Sequence, residues 1–346
     1  MIGVGGVMFL HERWFTDESR FPVQYDLALT PRTWIPVAIA LGITALAALV
    51  WRSVGRRPIV PGPIELGVKW DNYQELLSWM PLVIGIHTAV TLLVSGIGLR
   101  LFVPNLDLPG NFLGALIGLG EIAIALSFIY GALTRLGAVA LAVVWVAGAV
   151  YFGPVRLLEH SLFLGIAFFL FAAGRGPLAF DMSIERLHRP IERLMPYAVP
   201  VLRILTGLSI AVVAFTEKLW NPAMGLAFLA EHHFNFFPAL GLPAVGDPEF
   251  LFIAGVVELT FGLLLMSGVF VRLLILVLWL PFNLTLPLLG WTELVGHLPV
   301  YGIMGLLLIW GEAQPEAAKA MVEGVEEHAD GVTAAEDPQP SRQRRD

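Results

Sequence analysis

The sequence predicts an all-α fold: a polytopic helical membrane protein built as two parallel four-helix repeats plus one N-terminal span. Three observations predict it. Of 346 residues, 57% are hydrophobic and 14% charged, with a mean hydropathy of +0.75. A soluble domain carries about 25% charged residues, so this chain has too little polar surface to cover itself with. Runs such as Leu136–Phe152 and Leu273–Leu280 hold no charge at all, as segments inside a bilayer require. Third, a polar trio recurs: Glu121, Arg135 and His160 return as Glu258, Arg272 and His297, with identical internal spacing. Gly131 and Gly174 keep step with Gly268 and Gly311. Self-similarity at fixed spacing marks a duplication.

The elements follow in order. Residues 1–10 are apolar, but no basic residue precedes them and no clear small-residue cleavage site follows, so no cleaved signal peptide is expected. Span one is about Thr33–Trp51 and stands outside the repeat. The first repeat takes spans at about Trp79–Val103, Asn111–Leu133, Leu136–Phe152 and Leu157–Ala173. The second takes about Ala198–Leu219, Pro248–Val271, Leu273–Leu289 and Gly296–Trp310. The implied divisions are 1–75, an external segment, first span and cytoplasmic linker; 76–181, the first repeat; 182–197, a cytoplasmic connector; 198–311, the second repeat; and 312–346, a disordered cytoplasmic tail.

Orientation is read from basic residues. Arg52, Arg56, Arg57 and Lys69 follow span one, and Arg175, Arg186, Arg189 and Arg193 lie between the repeats. Both segments are expected in the cytoplasm of a cell-membrane protein, with the amino terminus outside and the carboxy terminus inside. Arg100, Arg156 and Lys218 fall on the outer side against this bias. An even number of spans per repeat inserts both copies the same way up, so Glu121 and Glu258 are expected at one depth. The 182–197 connector reads equally as a surface helix or a solvated link. The 223–247 loop, rich in phenylalanine, reads as a lid on the membrane. The tail, rich in Glu, Ala, Pro and Gln, reads as a helix start at most.

The chain has no cysteine, which excludes structural disulfides, CxxC redox motifs and thiolate metal sites. There is no phosphate-binding glycine loop, nucleophile elbow or zinc-protease helix. No metal site is read: His232 and His233 lack diagnostic ligand spacing. The partners expected are the lipid bilayer and a redox partner protein, with no nucleic acid.

The polar residues inside the spans are the candidate sites, because ionisable groups in hydrocarbon are costly. Glu258 and Glu121 are candidate proton acceptors near mid-membrane; the competing reading is a protonated carboxyl that glues helices together. His297 and His160 are candidate contacts for a quinone carbonyl, a metal or a haem, or else amphipathic anchors. Arg135 and Arg272 read as anchors at tight turns. Lys218, beside Glu217 and Trp220, reads as a snorkelling cation or an anion site under the 223–247 loop.

Further motifs carry a resemblance. Leu202–Gly207 (LRILTG), Glu217–Trp220 (EKLW), Leu240–Pro243 (LGLP), Val257–Leu264 (VELTFGLL) and Gly268–Arg272 (GVFVR) sit in the second repeat. Gly120–Glu121, Gly131–Arg135 (GALTR) and Gly174–Asp181 (GRGPLAFD) sit in the first. The chain resembles the DoxX family of small four-helix membrane proteins, most clearly in the second repeat. The resemblance implies Arg203, Lys218, Glu258 and Arg272 as pattern residues, and a link to the small subunit of a thiosulfate:quinone oxidoreductase. The function expected is a quinone-linked redox subunit acting with a partner, quinone being the cofactor class it admits. The alternative is a non-enzymatic protein that binds or moves a lipid or small hydrophobic solute.

Overall fold

The computed structural model describes residues 11–184, 187, 189–312 and 315–336. All regular structure among them is helical, apart from one bridge between Arg100 and Asp107. The helices are α1 (Pro31–Ser53), α2 (Trp70–Ser78), α3 (Met80–Ile97), α4 (Phe112–Tyr130), α5 (Thr134–Phe152) and α6 (Pro154–Leu158). They continue as α7 (Leu162–Ala173), α8 (Met195–Val213), α9 (Pro222–His232), α10 (Asp247–Ser267), α11 (Val271–Trp310) and α12 (Pro315–Glu336). Among the described residues, seven helices are long and apolar enough to cross a membrane, α2 and α3 counting together, and α7 is a shorter apolar helix.

α11 is not a single rod. Its 40 residues would run about 60 Å at 1.5 Å per residue. Yet the rings of Phe282 and His297 lie 4.8 Å apart, and Arg272 Nε donates to the Leu308 carbonyl at 3.1 Å. The chain therefore doubles back at Gly290, whose φ of 71° and ψ of −145° belong to a region open almost only to glycine. With this hairpin and α7, the described residues hold nine apolar helical segments.

Backbone devices recur at the separation that relates Glu121 to Glu258. Gly131 and Gly268 end α4 and α10 in the left-handed conformation, and Leu133 and Phe270 take the same conformation two residues later. Gly153 and Gly290 share a positive φ, as do Gly174 and Gly311. Arg135 Nε donates to the Phe171 carbonyl at 3.1 Å, as Arg272 does to Leu308.

Packing joins α3 to α4, α8 to α10, α7 to α8, and α11 to α3, while α1 lies against α10. Two contacts are glycine on glycine. A Cβ on Gly96 would stand 2.6 Å from the Gly118 carbonyl oxygen, and one on Gly207 would stand 2.6 Å from that of Gly262. Such backbone approach is what small residues permit between membrane helices.

The tail departs from expectation. Residues 315–336 form α12 rather than disorder, packed on α2. The reason is an apolar stripe, Ala317, Ala318, Ala320, Met321 and Val325, all buried, that a composition count averages away against the neighbouring glutamates. The 223–247 loop carries α9 and a cluster in which Phe228, Leu229, Phe250 and Leu251 are buried. Of the 182–197 connector, residues 185, 186 and 188 lie outside the described residues.

Replacing Gly207 by Ala should lower stability by about 1–3 kcal/mol, the usual cost of an added methyl that forces backbone apart. The thermal midpoint in detergent reads it. Gly305→Ala, where a Cβ meets nothing within 4 Å, should leave the midpoint unchanged; equal midpoints for both would refute the close approach.

Candidate functional site

The site gathers at the end of the bundle where the amino-terminal segment re-enters. Residues Glu12–Trp14 form a short 3₁₀ turn and drop charged side chains among α7, α8, α10 and α11. α8 meets them with a π-helical turn over Ala214–Leu219. Such wide turns recur at functional sites. Here consecutive residues Glu217 and Lys218 are both buried, at 0% and 1% exposure.

Lys218 is the hub. Its Nζ lies 3.0 Å from Glu258 Oε1 and 3.4 Å from Glu12 Oε1. Glu217 takes the Glu12 backbone N–H at 2.6 Å and lies 3.3 Å from His11 Nδ1. Arg13 pairs with Glu159 at 3.1 Å and donates to the Thr216 carbonyl at 3.0 Å. On the far side, His297 Nδ1 lies 3.1 Å from the Glu293 carbonyl and 3.4 Å from its carboxylate. Glu293 in turn accepts from the Thr285 hydroxyl at 3.1 Å. A carbonyl only accepts, so Nδ1 is the protonated nitrogen of neutral His297 and Nε2 is left as an acceptor.

Aromatic rings tie the two sides together. His11 stacks on Trp14 at 4.3 Å and on His297 at 5.5 Å, and lies 6.1 Å from His160. Between His11, Glu258 and His297 a cavity of about 40 Å³ remains, walled by Leu162, Ile210, Val213 and Phe282 and edged by Thr206 and Ser209. That is room for a few water molecules. Trp14 Nε1, His160 Nε2, Glu12 Oε2 and Glu293 Oε2 are buried without a hydrogen-bond partner among the described residues.

Charge is unbalanced in this cluster. Glu12, Glu159, Glu217, Glu258 and Glu293 are all buried, against Arg13 and Lys218 as permanent cations. Five carboxyls with two fixed positive charges cannot all ionise in a low-dielectric interior; the remainder must hold protons or meet imidazolium. At the bundle end, burial pushes the Glu12 carboxyl up to about 7, with Lys218 opposing the rise and Glu217 adding to it. Such a cluster can hold protons on some of its carboxyls.

The candidates do not all meet at one site. Glu258, Lys218, His297 and His160 belong to the cluster. Glu121 does not: its Oε1 accepts the N–H of Phe102 at 2.8 Å, where Phe102 holds a positive φ. It braces the α3–α4 connection. Arg203, Arg135 and Arg272 also lie away from the cluster. Arg203 is 15 residues before Lys218, about 22 Å along the helix. It donates to the Leu265 and Met266 carbonyls. Arg135 donates to Phe171 and Arg189, and Arg272 to Leu308 and Ile309. These guanidiniums satisfy carbonyls that helix ends leave open, a role that needs no ligand.

The cluster also holds residues that sequence reasoning passed over: His11, Glu12, Arg13, Glu159 and Glu293. Two signals were present. Glu159 adjoins His160, and Glu293 sits one helical turn before His297. For the His11–Trp14 segment, only four polar or aromatic residues directly after an apolar stretch pointed inward.

Compared with known proteins, the chain matches no protein-family model, no curated protein and no solved structure.

Two outcomes are expected. Lys218→Met strands buried carboxylates and should cost about 3–5 kcal/mol; adding Glu258→Gln should recover part of the loss in thermal midpoint. Separately, Glu12 binds its proton more tightly when docked than when exposed, where its ordinary value is 4.5. Opening the amino-terminal segment releases that proton, so the opening constant should rise with pH, at most tenfold per unit, between about 4.5 and 7 and level off above. Hydrogen–deuterium exchange at amides 12–16 reads it, and Glu12→Gln should flatten the curve.

Proposed function

We propose that the protein is the membrane-embedded subunit of a quinone-linked redox assembly, supplying protons to a quinone head group from its buried acid–base cluster. The observation that carries the reading is the cavity between His11, Glu258 and His297. It joins imidazole and carboxyl groups, which can hydrogen-bond and protonate a carbonyl, to apolar walls that suit a ring. Reducing a quinone to a quinol consumes two electrons and two protons. The chain's own groups account for the protons: His297 and Glu258 face the cavity, and Lys218, Glu12 and Glu217 stand behind them. The electrons are assigned to a partner protein, since the chain lacks the cysteines of dithiol redox motifs. At about 40 Å³ the cavity admits the edge of a ring; a whole ring enters by displacing the stacked His11–Trp14 pair.

The DoxX-like motifs support this reading, as do the turns that repeat at one separation, which suit a tandem duplication of a four-helix unit. The basic residues at 52–69 and 175–193 favour a cell-membrane protein with the amino terminus, and hence the cluster, on the outer side.

A second reading has its own observation. A groove of about 470 Å³ runs between α4 and α5, lined by Ile124, Leu126, Tyr130, Leu136 and Val144. It suits a lipid or a small hydrophobic solute bound without redox chemistry.

Native mass spectrometry of the purified protein separates the two. A co-purifying quinone, retained by the native chain and lost in Glu258→Gln, is expected on the first reading. Phospholipid alone, unaffected by that substitution, would overturn it in favour of the second. In a complex with its electron donor, Glu258→Gln should slow quinone reduction at least tenfold.

A further inference from the structure

A second opening faces the cluster from the side. Residues 18–25 of the amino-terminal segment and residues 155–159 enclose a cleft of about 350 Å³, lined by Arg13, Glu18, Ser19, Val155, Arg156 and Glu159 among others. Glu18 at the rim is half-buried and pairs with Arg156 and, at 3.6 Å, with Arg13. Glu159 at the floor is 1% exposed. The cleft is thus large enough for many waters, wet at one end and closed on a buried carboxyl at the other.

We propose that this cleft is the aqueous inlet through which protons reach the buried cluster, with Glu159 as the first acceptor. The inference rests on the cluster's proposed proton-handling role, but not on the identity of the molecule in the central cavity.

Four observations carry it. Two guanidiniums and two carboxylates line the cleft, so it carries no net charge to repel a hydronium ion. Glu159 is flanked by Arg13, Arg156, Glu217 and the Thr216 side chain, which makes it the meeting point of cleft and cluster. Contacts link the cleft floor to the cluster. Arg13 pairs with Glu159 and donates to the Thr216 carbonyl; Glu217, next in the chain, lies 3.3 Å from His11 and accepts the Glu12 backbone N–H; and Lys218 pairs with Glu12 at 3.4 Å and Glu258 at 3.0 Å. Finally, Glu159 is buried at the floor of the cleft with Arg13 at 3.1 Å, so a carboxyl stands where the cleft's water ends. The step is balanced: hydronium in the cleft gives a proton to a Glu159 carboxylate oxygen and leaves water, and the proton passes on when Glu217 or an intervening water accepts it.

The test is the rate at which buried protonated carboxyls exchange with D₂O, read by time-resolved infrared spectroscopy on the full chain in nanodiscs. Their C=O band is identified by its loss in Glu258→Gln. Val155→Trp fills the cleft and Glu159→Gln removes the acceptor; each should slow exchange at least tenfold. Ala140→Trp, in the groove between α4 and α5, should leave the rate unchanged. Rates equal to the native chain's in both Val155→Trp and Glu159→Gln would overturn the inlet. If either variant misfolds, the native chain in oriented proteoliposomes decides: exchange driven by D₂O on the amino-terminal side supports the inlet, and exchange only from the opposite side overturns it. Loss of the quinone reading with slowed exchange in the variants would leave the inlet standing.

Discussion

Lys218 carries an ammonium into the apolar interior, where it persists only in the company of carboxylates. Glu258 and Glu12 provide that company from α10 and from the amino-terminal segment. Desolvating one such charge costs several kcal/mol, and only close opposite charge returns it. The pairing therefore dictates more than a local contact. It requires the π turn that faces Lys218 inward, the approach of α10 to α8 over Gly207 and Gly262, and the return of residues 11–14 into the bundle. Without any of these, an uncompensated charge would remain.

The two ends of the bundle solve opposite problems. At one, arginines saturate carbonyls and leave little free; at the other, acids outnumber bases and polar atoms remain without partners. Arg135, Arg203 and Arg272 donate to backbone carbonyls, whereas Lys218 pairs with Glu258 and Glu12 and His297 with Glu293, so six residues equally costly in a membrane sequence divide by the partners they meet.

The apolar helices were legible because each is a long, strongly apolar run with few charges, and the hairpin inside α11 was legible as two runs parted near Gly290. The recurring trio pointed to His160, His297 and Glu258, three members of the cluster. It pointed equally to Glu121, whose carboxylate serves a backbone N–H instead, since like residues at like positions need not find like partners. His11, Glu12 and Arg13 stayed hidden. They meet Glu217 and Glu159 across some 200 and 150 residues of chain, a distance over which no periodicity carries information. α12 stayed hidden for a different reason: its five small or flexible apolar residues are diluted by acids on the other face.

The short length of α7 has a consequence for the surrounding lipid. Its 12 residues rise about 18 Å, well short of a hydrocarbon layer about 30 Å thick. Glu159, His160 and Ser161 precede that helix and are buried, as is most of α7 itself. The surrounding lipid therefore meets the neighbouring helices at this point, and protein, not headgroup, fills the thickness that α7 leaves open.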